Sequence, residues 1–145
     1  MLWKEEQSNM KEELNNIIVK ESEALEELIA LLESQVKFAL EDKIMDLEFI
    51  VPKIEDCNKK IAELEMARRG LTMGEPMSKI INEAKDVQLE ENYRKIKQLI
   101  EAAIVQKDFN MEQIKQGLHF TNKILNILNP DRGIKTYNAY GKMKK

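Results

Sequence analysis

Residues 87–128 read VQLEENYRKIKQLIEAAIVQKDFNMEQIKQGLHFTNKILNIL, and this stretch decides the fold. It contains no proline, and its single glycine, Gly117, comes late. Leu89, Tyr93, Ile96, Ile100 and Ala103 fall three or four apart, and Met111, Ile114, Leu118, Thr121, Leu125 and Leu128 resume the pattern. Such spacing lays one side of an α-helix against a partner and leaves the other in water. At about 1.5 Å per residue the helix would be roughly 60 Å long. A compact domain of this size has a radius of gyration of only about 15 Å. The molecule is therefore expected to be elongated, offering surfaces along its length rather than an enclosed pocket.

Within this helix the heptad from Tyr93, Ile96, Ile100 and Ala103 lands next on Lys107 and Asn110, which are polar. The apolar stripe restarts at Met111 and Ile114, about four positions later. An insertion of four is a stutter, which unwinds a supercoil locally. The helix is thus expected to have two halves with different seams, the second free to serve another partner.

Upstream, the pattern predicts two more long helices and a short one. The first runs from near the N-terminus to about Leu40, with Met10, Leu14, Ile17, Ile18, Leu25, Leu28, Leu32, Val36 and Ala39 on its buried side. Glu21 and Ser22 interrupt that stripe. Glu41-Asp42-Lys43 reads as a polar break with Asp42 as N-cap, its carboxylate accepting orphaned N–H groups of the next turn. The second helix spans about Lys43 to Gly70. Pro52 inside it either kinks the helix or opens a new one as its first residue. Gly70 suits the left-handed residue that ends a helix. Met77 to Ala84 reads as a short helix that either stops or runs on through Asp86 into the long one.

Asn129-Pro130 ends the long helix, because the residue before a proline is biased away from helical geometry. The remainder is too polar to bury itself and is expected to be disordered in the free protein. The division is a helical domain over residues 1–129 and a flexible basic tail over 130–145. The fold class is all-α: an elongated, coiled-coil-like antiparallel bundle of three long helices and one short helix.

Composition agrees. Acidic residues number 26 and basic residues 23, aromatics make up 6 %, and there are only 5 glycines and 3 prolines. This is the signature of a helical bundle, not a β-sandwich. The net charge of −3 argues against general nucleic-acid affinity, which needs a clustered basic surface. The tail sets five cations against Asp131 for a net of +4, leaving −7 on the body. Such a tail suits an acidic partner.

No segment approaches the ~18 apolar residues of a membrane span, and the start lacks a signal-peptide core. One cysteine, Cys57, permits no internal disulfide. A soluble, reduced, cytoplasmic protein is expected. One histidine, His119, cannot build a His-rich zinc centre, and no phosphate loop or Glu-x-x-His pair is present. No metal, no cofactor and no enzymatic activity are expected.

The order of features carries a resemblance. A charged helix ends in Leu40-Glu41-Asp42-Lys43. A second carries Lys53 and Arg68-Arg69, followed by Leu71-Thr72-Met73-Gly74. The long helix has polar residues in its seam, then Gln113-Ile114-Lys115-Gln116-Gly117-Leu118 and Ile124-Leu125-Asn126-Ile127-Leu128. The tail reads Thr136-Tyr137-Asn138-Ala139-Tyr140-Gly141. Over nearly its whole length this chain resembles the FlgN family of flagellar export chaperones. The resemblance implies that it holds hook–filament junction proteins of the FlgK and FlgL type and delivers them to the export gate, at the cytoplasmic part of FlhA. It implies cargo capture by Ile114, Leu118, Thr121, Leu125 and Leu128, and gate docking by Tyr137 and Tyr140. The competing expectation is a structural coiled coil that self-associates through its long helix. A homo-oligomer is compatible with either.

Overall fold

The computed structural model describes the backbone of residues 4–128 and the side chains of residues 5–117. Four helices account for it: α1 (Lys4–Leu40), α2 (Ile44–Thr72), α3 (Met77–Ala84) and α4 (Val87–Leu128). No strand occurs among the described residues. The protein is an all-α bundle, with α1 as the helix against which both α2 and α4 pack.

Heptad spacing sets this packing. On α1 the buried positions Leu14, Ile18, Glu21, Leu25, Leu28 and Leu32 alternate steps of four and three. On α2 the buried or half-buried positions are Leu47, Ile50, Ile54, Cys57, Ile61, Leu64, Arg68 and Leu71, again in steps of three and four. A 3.5-residue repeat keeps one seam facing a supercoiled partner. Ser22, Ala24 and Val36 are buried as well, because α1 must face two helices and needs a wider buried arc. Cys57 Sγ lies 3.2 Å from the Ala24 carbonyl oxygen, where it can donate across the α1–α2 seam.

Glu21 does not interrupt the α1 seam as its charge suggested. It sits within the heptad and meets Arg68, which holds the equivalent place on α2. The Glu21 side chain is 1 % exposed, and its Oε2 lies 3.6 Å from Arg68 Nε, an ion-pair distance too long for a hydrogen bond. Arg68 Nη2 instead donates to Glu65 Oε1. Burial, then the hydrogen bond and charge of Glu65, push the Glu21 carboxyl up to about 8. Glu65 is buried enough to favour its neutral form, yet its bonds to Glu21 and Arg68 hold it below the ordinary range. The pair therefore shares one proton beside a fixed cation.

This arrangement makes stability depend on pH. Glu21 binds its proton more tightly folded than unfolded, so its contribution is complete below its unfolded value of about 4.5 and is lost as pH rises through about 8. Glu21→Gln keeps the shape and removes the ionisation. We expect the variant to match the parent at pH 5 and to exceed it at pH 9, by on the order of 1–3 kcal/mol. Urea unfolding at the two pH values checks this; equal differences at both would exclude it.

Several helix ends differ from the sequence expectation. Asp42 is not an N-cap: it takes a left-handed φ of 55° as the residue just past α1. The Lys43 N–H donates to the Phe38 carbonyl at 2.9 Å and the Asp42 N–H to that of Ala39 at 3.4 Å, the paired bonds of a Schellman ending. A short polar side chain tolerates that conformation, so aspartate suits either role. Lys43 occupies the N-cap of α2 without a side-chain bond. Gly70 does not end α2, which continues to Thr72; Met73 (φ 53°) and Gly74 (φ 77°) make the left-handed ending instead. Pro52 lies inside a continuous α2 and does not start a new helix.

Helix α3 is separate from α4. Lys85 adopts a left-handed φ of 51° and closes α3 by donating to the Ile81 carbonyl. Asp86 then caps α4, its Oδ1 accepting from the Gln88 N–H at 2.9 Å and the Leu89 N–H at 3.3 Å. That cap explains why α4 starts where it does.

Candidate functional site

Two things define the candidate surface: how far α4 reaches, and which side it turns to α1. The contacts between the two helices ascend together. Lys11 Nζ donates to the Ala84 carbonyl beside the start of α4 (3.2 Å), Asn92 Nδ2 to Asn15 Oδ1 (3.0 Å) and Asn110 Nδ2 to the Leu32 carbonyl (2.6 Å). α1 and α4 therefore run parallel, while α2 returns antiparallel between them in the chain. The partners are separated by 73, 77 and 78 residues in sequence. At that offset Leu40, the end of α1, stands level with about residue 117 of α4. α2 begins at Ile44, at the same end. The last three turns of α4, roughly 16 Å of helix, reach past the α1–α2 hairpin.

The side of α4 turned to α1 is regular. Leu89, Ile96, Ala103 and Asn110 are buried at intervals of seven, accompanied by the half-buried Asn92, Leu99, Gln106 and Gln113. No stutter occurs in this seam: Asn110 stays within it at 2 % exposure, whereas Met111, the expected restart, is 50 % exposed. Asn110 can stay because its amide is fully bonded. Nδ2 donates to the Leu32 carbonyl and to Gln35 Oε1, and Oδ1 accepts from Gln106 Nε2 at 3.0 Å. A buried amide so satisfied costs little and fixes register.

Of the residues implied for cargo capture, Ile114 is half-buried at the end of this seam. Leu118, Thr121, Leu125 and Leu128 lie within α4, in the part that reaches past the hairpin; their side chains fall outside the described residues. At about 100° per residue from Asn110, all five positions fall within about 80° of the direction that faces α1. They continue the packed side of α4 beyond the helix it packs against. Tyr137 and Tyr140 lie outside the described residues.

Sequence reasoning missed a second set. Ile104, Val105 and Phe109 are large, apolar and about half or more exposed on α4. Ile104 stands seven residues before Met111, which stands seven before Leu118, so the row itself was the available signal.

The described residues offer surfaces rather than reactive groups. No cluster of three His, Cys, Asp or Glu side chains stands close enough to hold a metal among them. Burial, then Glu27, raises the Cys57 thiol, which makes it a poor nucleophile. No helix is long and apolar enough to cross a membrane, again among the described residues.

Fold and surface together define a class: an all-α helical bundle with one helix overreaching its partners. The family model described as FlgN protein matches residues 10–145. The chain belongs to the FlgN family, and its general role is that of a flagellar export chaperone. No curated protein and no solved structure matches it significantly.

Proposed function

We propose that the protein binds the C-terminal amphipathic segments of FlgK- or FlgL-like hook–filament junction proteins in the cytoplasm. It keeps them unassembled and hands them to the cytoplasmic domain of the export gate protein FlhA. The observation that supports this reading is the reach of the α4 backbone past its hairpin, over positions where the sequence continues the apolar stripe. An amphipathic guest helix laid there takes the place α1 holds further back, the helix-in-groove mode of recognition. Each buried leucine or isoleucine contributes about 1.5–3 kcal/mol. Ordering a disordered guest costs about 2–5 kcal/mol of the total. Four or five anchors then leave a micromolar to tens-of-nanomolar complex, reversible enough for hand-off.

Capture from the cytosol of motile cells, with and without the last sixteen residues, tests this division of labour. Both forms should retain the junction protein; only the full chain should retain the gate domain. Tyr137→Ala should weaken gate-domain binding about tenfold and leave the cargo titration unchanged. Equal loss of both would show that the tail supports the cargo surface instead. A second reading, self-association through α4, draws on the exposed Ile104 and Phe109. A tight dimer in sedimentation, indifferent to cargo peptide, would decide for it.

A further inference from the structure

Between Ala103 and Gln113 α4 is turned inside out relative to an ordinary amphipathic helix. Its side toward α1 carries Gln106, Asn110 and Gln113, while Ile104 and Met111 face outward, about half exposed. Stability alone selects the opposite arrangement, and contiguous exposed apolar surface marks a place where something binds.

The exposed residues fall in two adjacent heptad rows. One passes through Ile100 and Lys107, between the half-buried Tyr93 and Ile114; the other passes through Ile104 and Met111. At steps of seven the same rows contain Thr121 and Leu128, and Leu118 and Leu125. Tyr93, at the start of the first row, is half-buried against the core, whereas Ile100 and Lys107 further along are exposed. α2 and α4 make no extended contact, which leaves this flank of α4 uncovered.

We propose that the guest surface does not begin at the hairpin's end but runs back along α4 to Ile100. Its occupant is an amphipathic helix that carries a carboxylate within its apolar stripe, opposite Lys107. The inference rests on the cargo reading above and extends it in length and chemistry. Continuity of the rows argues that one occupant covers both parts, since a single straight helix meets positions seven apart in succession. Lys107 is the one charged position in the strip; it is exposed and makes no ion pair among the described residues. A guest that crosses it desolvates its ammonium, and a carboxylate in the guest answers that cost.

The probe is a synthetic peptide of the last forty residues of a FlgK-like junction protein, titrated calorimetrically into the full-length chain. Ile104→Asp and Met111→Asp should each weaken binding at least tenfold, while Val105→Asp, one step off the rows, should leave it unchanged. Lys107→Glu should weaken it several-fold, and a peptide with one stripe carboxylate changed to lysine should regain the loss. The altered side chains are solvent-exposed, and unchanged thermal unfolding would confirm that the fold is kept. Unaltered binding by the Ile104 and Met111 variants, with loss in Leu118→Asp, would overturn this inference and leave the cargo reading standing. Unaltered binding in all of them would overturn the cargo reading itself. A dimer that Ile104→Asp dissociates, with no effect on the peptide, would assign the strip to a second copy and also overturn the inference.

Discussion

Replacing Leu118 and Leu125 together by aspartate is expected to weaken cargo-peptide binding at least a hundredfold while leaving the melting temperature of the free protein almost unchanged. The two halves of this expectation have one cause. Each leucine side chain contributes about 1.5–3 kcal/mol when fully covered, and about 1.4 kcal/mol corresponds to a tenfold change in affinity. A carboxylate forced into the same contact adds its own desolvation cost. Both positions lie at or beyond the level of Leu40, where α1 ends, so α1–α4 packing is expected to lose little. Calorimetric titration and thermal unfolding of the same double variant measure the two quantities. A fall in stability of several kcal/mol would mean that these leucines are core, and the assigned face would be wrong.

The largest effect on the fold itself is expected at Arg68. Arg68→Ala should destabilise the protein by about 3 kcal/mol in urea unfolding at neutral pH. The change leaves Glu65 without its main cation and Glu21 with a shared proton but no neighbouring positive charge. Breaking a buried pair from one side is more costly than removing it, because a charge stays behind in a poor medium. The double change Glu21→Leu with Arg68→Met replaces both by apolar groups at heptad positions that ordinarily take them. It should recover most of the loss. A double variant no more stable than Arg68→Ala alone would show that Arg68 acts through packing of its alkyl stem, not through its charge.

Helix extents were legible because local rules govern them. The unbroken run from Val87 to Leu128 and the short helix from Met77 to Ala84 follow from apolar spacing and from the placement of Gly, Pro and Asp. The identity of the seam was less legible. Asn110 and Glu21 looked like interruptions because an isolated polar residue in a stripe is costly. Their partners, Gln35 and the Leu32 carbonyl for one and Arg68 with Glu65 for the other, lie on other helices. No local pattern reveals a bond that spans about 75 residues. The turn residues misled for a different reason. Aspartate serves equally before a helix and after one, and Met73 takes the left-handed conformation that the sequence pattern assigns to Gly70.

The candidate surface was half legible. Its residues lie where the stripe of α4 continues, and that stripe is visible in the sequence. What carries these positions past the end of α1 is the stagger between α1 and α4, a property of three-dimensional packing alone. Had α1 been three turns longer, it would run alongside the same positions. The exposure of Ile104 went unread because a repeat of seven says which residues share a side, not which side is covered.

The parallel pairing of α1 with α4 also orders the assembly of the molecule in time. α1 and α2 close over a three-residue turn, whereas α1 and α4 meet only after the whole of α2 and α3 has been spanned. The entropy of closing the larger loop must be met before any of its contacts form. A nascent chain can thus complete its first hairpin while α4 is still being synthesised, and α4 is the last helix to find its place.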